Sequence, residues 1–239
     1  MNTYHTYIFD LDGTLLDTLG DLAASTNYAL RSHSMAERSL DEVRRFVGNG
    51  VQKLIERAVP EGTAADVTAQ VLDTFRQHYL IHSLDTTRPY DGIVDMLASL
   101  KARGCRLAVV SNKFHTATQE LCRHFFPGLI EVAIGEHEAE GIRKKPAPDT
   151  VVEALRQLGY ERQPSSCEQQ PSSCERQPSS CEQQFSPSDA VYVGDSDVDV
   201  LTARNSGLPC ISVLWGFRDR QFLVDHGATT FAESPADLL

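Results

Sequence analysis

The sequence predicts an α/β fold, a parallel sheet doubly wound by helices, with a small all-helical segment inserted after the first strand. Three observations predict it. A short run of strand-forming residues, Tyr4 to Phe9, ends on the polar stretch DLDGT. From Leu16 to Ser83 the apolar spacing is helical and no strand pattern interrupts it. From Thr86 onward, strand-like and helix-like runs alternate, the signature of a doubly wound, Rossmann-like sheet.

Taken in order, Tyr4–Phe9 is short and apolar, as suits a strand buried on both faces. DLAASTNYALRSH places Leu22, Ala29 and Leu30 at helical spacing. SLDEVRRFVGNGVQKLIERAV reads as two helices broken at Gly48-Asn49-Gly50, and Ser39 with Glu42 makes a capping-box pattern at the start of the first. ADVTAQVLDTFRQHYLIHS adds a further helix. After TTRPYDG come a helix (IVDMLASLKARG), a strand (Arg106–Val110), a helix begun near SNKFHTAT and a weaker strand, EVAIG. KKPAPDTVVEALRQLG carries the next helix, with Asp149 as its start signal. DAVYVGD, PCISVLW and TTFAES read as strands, separated by the helices SDVDVLTARNSG and DRQFLVDHG. The expected division is a discontinuous core, 1–15 and 86–239, around a helical domain, 16–85, with hinges near Leu15–Thr18 and Leu84–Pro89.

Composition narrows the function. An apolar fraction of 41% in 239 residues can build a core. A formal charge of −11, from 22 basic and 33 acidic residues, argues against a dedicated nucleic-acid binder. MNTYHTYIFDLDGT lacks a basic region followed by a long apolar stretch, so no signal peptide is expected. No apolar run approaches a membrane span. Six cysteines without a C-x-x-C pair do not make a disulfide scaffold, and the simplest compartment is the cytoplasm.

In a doubly wound sheet, ligands bind outside the carboxyl ends of the strands. Asp10, Ser111 and Asp195 each follow a predicted strand, so they should converge in one crevice. DLDGT puts Asp10 and Asp12 on one side of an extended segment. With Asp195 they form an oxygen-ligand set for a hard cation, and Mg²⁺ fits because it takes few carboxylates together with a substrate phosphate. Lys145, before Pro146, supplies a second positive charge. Ser111, Asn112 and nearby helix-start N–H groups can hold phosphate oxygens.

The ordered set DLDGT, VVSNK, KKPAP and VGDSDVDV resembles the four motifs of the haloacid dehalogenase superfamily, and the helical insertion resembles that superfamily's small cap. RFVGNGVQKLIERA, SNKFHTAT, KKPAPDTVVEAL and WGFRDRQFL are most similar to the phosphoglycolate phosphatase family. The resemblance implies that Asp10 is the nucleophile, passing through an aspartyl phosphate, and that Asp12 is the general acid and base. It implies a Mg²⁺ site of Asp10, the Asp12 backbone carbonyl and Asp195, with Asp199 behind it. Ser111 and Asn112 would hold the phosphoryl group, and Lys145 would neutralise Asp10 and a phosphate oxygen. Gly48, Asn49 and Gly50 read either as the cap's substrate-facing turn or as a simple helix–helix loop. The implied substrate is a small phosphorylated metabolite, with 2-phosphoglycolate first. Pyrophosphate, a sugar phosphate or mutase chemistry are the alternatives, and a catalytically idle binding module is the remote one. Asp12 favours phosphoryl chemistry over dehalogenation, because halide leaves without a proton. Neither a nucleic-acid nor a membrane partner is implied, and the chain would be a monomer or a homodimer.

RQPSSCEQQPSSCERQPSSCEQQ, 162–184, writes one heptad three times, with Cys167, Cys174 and Cys181 seven residues apart. Pro164, Pro171 and Pro178 break any continuous helix, and no apolar seam exists. The repeat sits between a helix and the next strand. It is therefore expected on the face opposite the crevice, as an exposed loop whose thiols take no part in the chemistry.

Overall fold

The computed structural model describes residues 4–136, 138, 141–160 and 189–239. The heptad repeat lies outside the described residues. The first strand, β1 (Thr6–Phe9), is buried along its whole length, as its apolar run requires. The next, β2 (Leu16–Asp17), leads into the insertion: α1 (Leu19–Ser32), α2 (Leu40–Phe46), α3 (Val51–Ala58) and α4 (Ala65–His82). The chain returns through β3 (Arg88–Pro89) and then alternates α5 (Ile93–Ala102), β4 (Arg106–Phe114), α6 (His115–Phe125), β5 (Val132–Glu136), α7 (Asp149–Gln157), β6 (Ala190–Gly194), α8 (Asp197–Ser206), β7 (Cys210–Val213), α9 (Arg220–Asp225) and β8 (Phe231–Ala232).

Among the described residues, six strands form a parallel sheet in the order β5-β4-β1-β6-β7-β8. From β1 the chain winds outward through β4 and β5, then crosses back to β6 on the other side. That reversal is the switch point where such sheets open a crevice. Side chains alternate across the sheet. Tyr7, Phe9, Val109, Val191 and Val193 pack with Ile93 and Leu97 of α5 and Leu121 of α6. Ile8, Val110 and Tyr192 point the other way, onto Val151 and Leu155 of α7 and Ala203 of α8. Each such side chain withdrawn from water is worth roughly 1.5–3 kcal/mol, so β1, covered on both faces, is a rigid base for whatever follows Phe9. Cys105 and Cys122 are small buried residues, and Cys210 is half-buried.

The helical insertion has a core of its own. Leu22, Leu30, Val43, Leu54, Ile55, Val71 and Phe75 meet inside it. The capping box forms: Ser39 N–H donates to Glu42 Oε2 at 2.8 Å and Glu42 N–H to Ser39 Oγ at 3.3 Å. The break between α2 and α3 uses left-handed backbone at Gly48 (φ 126°) and Gly50 (φ 84°), which L side chains rarely adopt.

Two boundaries differ from the sequence-based expectation. Leu16–Asp17 pairs antiparallel with Arg88–Pro89, so the two crossings into and out of the insertion form a small ribbon. Two residues per strand are too few to show alternation in a sequence. The strand expected to end at Val110 runs on to Phe114, because it regains its partner at Glu136 after a register shift. Ser111 and Asn112 thus lie on the strand, and the following helix begins at His115.

Candidate active site

Asp10 leaves β1 with its N–H bonded to Val193 O at 2.8 Å, which places its side chain at the carboxyl ends of β1 and β6. Lys145 Nζ reaches it from the loop before α7 and donates to Asp10 Oδ1 at 2.7 Å, to Asp199 Oδ1 at 2.9 Å and to Tyr192 Oη at 3.2 Å. Burial alone would lower this lysine's pKa, but Asp10 and Asp199 more than offset it and hold the ammonium above its usual value. Asn112 fixes the backbone of Lys145: its Oδ1 accepts the Lys145 N–H at 2.8 Å, and its Nδ2 donates to Lys145 O at 3.1 Å. The same Nδ2 also reaches Gly48 O, at 3.3 Å.

Carboxylate oxygens of Asp10, Asp195 and Asp199 lie within 4.8 Å of one another, all buried. Asp195 Oδ2 accepts the Phe217 N–H at 2.6 Å, and its Oδ1 accepts only a long bond from Thr14 Oγ1, 3.4 Å. Gly13 is required beside it, since a Cβ there would sit 2.4 Å from Asp195 Oδ2. Asp199 is saturated by contrast. Its Oδ1 takes Lys145 and the Tyr192 hydroxyl, and its Oδ2 takes the N–H and hydroxyl of Ser196 in a capping box at the start of α8. Burial raises the Asp10 carboxyl well above the usual value, and Asp199 adds to this despite Lys145. Burial and Asp199 bring Asp195 up to about 7. Three carboxylates against one ammonium leave excess negative charge in a buried place. A hard, all-oxygen donor set of this kind suits a divalent cation.

The insertion roofs the site. Leu22, Val47, Gly48, Gly50, Val51 and Leu54 face Asp10, Asp12, Ser111, Lys113 and Asp195 across a cavity of about 50 Å³. Lys113 Nζ donates to Asp12 Oδ1 at 2.8 Å. Arg218 bridges from the core to the insertion, donating to the backbone oxygens of Arg44 at 2.7 Å, Arg45 at 3.3 Å and Val47 at 2.7 Å.

Residues 4–207 match the haloacid dehalogenase-like hydrolase family. The chain belongs to this family. It is 31% identical over 228 residues to a phosphoglycolate phosphatase of Caulobacter vibrioides, covering 92% of this chain and 85% of that one. It is 29% identical over 211 residues to a phosphoglycolate phosphatase of Aquifex aeolicus, covering 88% and 84%. A candidate phosphoglycolate phosphatase of Lactobacillus delbrueckii subsp. bulgaricus superposes with a TM-score of 0.84 at 32% identity, over 99% of this chain and 97% of that one. The chain is thus a hydrolase with an α/β core and a helical cap after β1.

In this hydrolase Asp10, Asp12, Ser111, Asn112, Lys145 and Asp195 line one crevice, and Asp199 stands behind Lys145. Ser111 Oγ accepts the Lys113 N–H at 3.2 Å, and the Asn112 amide is engaged by the Lys145 backbone. The Asp12 carboxylate turns to Lys113 and stands apart from the Asp10–Asp195–Asp199 cluster. Gly48 and Gly50 face the crevice, whereas Asn49 accepts a bond from Arg57 Nη2 at 2.8 Å. Sequence reasoning missed Lys113, Tyr192 and Arg218. A signal for Lys113 was present: it stands two residues after Ser111 and so shares its face of a strand. Arg218 had none, because its partners are backbone atoms more than 170 residues away.

Proposed function

We propose that the protein is a Mg²⁺-dependent phosphatase that hydrolyses a small phosphate monoester, 2-phosphoglycolate, to glycolate and phosphate. The observation that carries this reading is the Asp10 carboxylate at the floor of the crevice, bonded by Lys145 Nζ at 2.7 Å and flanked by Asp195. One Asp10 oxygen is held by Lys145, and the other, which no described residue hydrogen-bonds, attacks phosphorus. An Asp10–O–P bond forms as the ester P–O bond breaks, and Asp12 gives a proton to the departing oxygen, which leaves as the alcohol. Asp12 then takes a proton from water, whose oxygen attacks the acyl phosphate and releases phosphate and the Asp10 carboxylate. Lys145 neutralises Asp10 and an incoming phosphate oxygen. Ser111 offers its hydroxyl to the phosphoryl group, and Asn112 acts by placing Lys145.

Of the three clustered carboxylates, Asp10 and Asp195 would hold the cation, since Asp199 is saturated, and the Asp12 backbone carbonyl would be the third ligand. A bound Mg²⁺ supplies positive charge that offsets repulsion between carboxylate and phosphate. The cap supplies the apolar roof that excludes water from the first step.

The test is phosphate release, with and without Mg²⁺, from 2-phosphoglycolate, sugar phosphates, nucleotides and pyrophosphate. Turnover should require the cation and rank 2-phosphoglycolate first. Asp10→Asn should lose at least about 1000-fold in kcat. Equal release by wild type and Asp10→Asn would reject the mechanism. A higher ranking for pyrophosphate or a sugar phosphate would replace the substrate while keeping the chemistry.

A further inference from the structure

Lys113 is a buried cation at the crevice that the steps above leave without a task. Its side chain is only 2% exposed. Its backbone is anchored in the core, with the N–H on Ser111 Oγ at 3.2 Å. Its ammonium stands between two elements: on one side it donates to Asp12 Oδ1 at 2.8 Å, and on the other it lies 4.8 Å from the centre of the Tyr79 ring. Tyr79 belongs to α4 of the cap, is itself buried, and stacks on Phe75 at 5.4 Å. A charged group is withdrawn from water at cost unless it is paired. The pairing here joins the residue read above as the acid to an aromatic face of the roof.

We propose that Lys113 is the positioning residue for proton transfer by Asp12, and that Tyr79 of the closed cap keeps the pair dry. This rests on the phosphatase reading and on Asp12 as its acid and base. The ammonium engages Oδ1 and fixes the carboxyl group's rotation, leaving Oδ2 to carry the proton. As the P–O bond breaks, that proton passes to the leaving oxygen, and Lys113 keeps its own protons throughout. When the cap lifts, the Tyr79 ring departs and water reaches the ammonium. The pair then weakens to the class of a surface ion pair. Proton transfer is thereby confined to the closed state, in which the ester is shielded from solvent.

A leaving-group series separates this role from structural support. Release of the alcohol or phenol in the first turnover, ahead of aspartyl-phosphate hydrolysis, is measured with Mg²⁺ for 2-phosphoglycolate, ethyl phosphate, phenyl phosphate, 4-nitrophenyl phosphate and 2,4-dinitrophenyl phosphate. Lys113→Met should lose about 100-fold in this first-turnover rate on the two alkyl esters and no more than about threefold on the dinitrophenyl ester, which leaves without a proton. In this first-turnover rate Asp12→Asn should show the same pattern, while its steady-state phosphate release, which also needs the proton taken from water, should fall on every ester; Lys113→Arg should recover part of the alkyl activity, and KM should change little. Should Lys113→Met fail to fold, Tyr79→Leu, which keeps the ion pair and removes its cover, should give the same slope in weaker form. Equal loss on every ester, or no loss on any, overturns the proposal. Loss on 2-phosphoglycolate with ethyl phosphate spared also overturns it, and makes Lys113 a receptor for the substrate carboxylate. If Asp12→Asn ignores the leaving group while wild type is active, the role of Asp12 fails first. A wild type inert on all five esters overturns the phosphatase reading and this inference with it.

Discussion

Burial drives the Asp195 carboxyl from a usual value of 3.8 up to about 7, with Asp199 pushing the same way and the Phe217 N–H only partly opposing. Between those values the folded protein binds more protons than the unfolded chain. Stability without a cation therefore falls as pH rises through that window. A divalent cation bound to the ionised carboxylates would remove the penalty. Thermal unfolding curves with and without Mg²⁺ should diverge as pH rises from about 4 to about 7 and run parallel above it. Each tenfold change in proton affinity is worth about 1.4 kcal/mol, so the gap is on the order of a few kcal/mol. Asp195→Asn should flatten most of the divergence. A gap that stays constant across the window counts against a cation at this carboxylate.

At the scale of elements, Asp21 and Arg218 join Asn112 and Lys113 in tying the cap to the core. Asp21 on α1 is buried and accepts four bonds from the returning segment, from the N–H and hydroxyl of both Thr86 and Thr87, at 2.6–2.9 Å. Asp21→Ala strands these donors and should cost at least about 2 kcal/mol in chemical denaturation. An unchanged midpoint would mean that water takes over their bonds. Arg218 closes the opposite side by capping the carbonyl end of α2, where a cation is also favoured by the helix dipole. Arg218→Ala should raise KM and speed amide exchange across residues 44–50, while exchange in β1 is unaltered. Exchange that rises everywhere would point to general destabilisation instead.

Over the whole molecule, legibility followed the range of the interactions. Asp10, Ser111 and Asp195 were readable because strand ends can be read locally and the doubly wound topology brings them together. Lys145 was readable because it stands directly before a proline in a resembling motif. The Leu16–Asp17 and Arg88–Pro89 ribbon was not, since each strand has two residues and their pairing spans the whole cap. Asn49 looked like a crevice residue beside Gly48 and Gly50, but a nearby arginine on α3 claims its side chain. The described residues on either side of the heptad repeat lie at the other end of the sheet from the crevice. Tyr160 bonds the Thr6 hydroxyl at 2.6 Å, and Asp189 O accepts the His5 N–H at 2.8 Å, both at the amino end of β1. Replacing Gln163–Gln184 by a short linker should therefore leave phosphate release and its Mg²⁺ dependence intact. Loss of turnover in a folded variant would give the repeat a part in function.

Phe217 and Arg218 are consecutive residues that look in two directions. The first gives its N–H to Asp195, and the second grips the cap. Two equilibria, cation binding and roof closure, thus draw on one short piece of backbone. Thermodynamic reciprocity then sets a condition: whatever factor the cation adds to closure, closure must add to cation affinity. Arg218→Ala releases the cap and also removes a positive charge that acts on Asp195; if closure dominates, the variant should bind Mg²⁺ more weakly in a calorimetric titration, and tighter binding would count against the coupling.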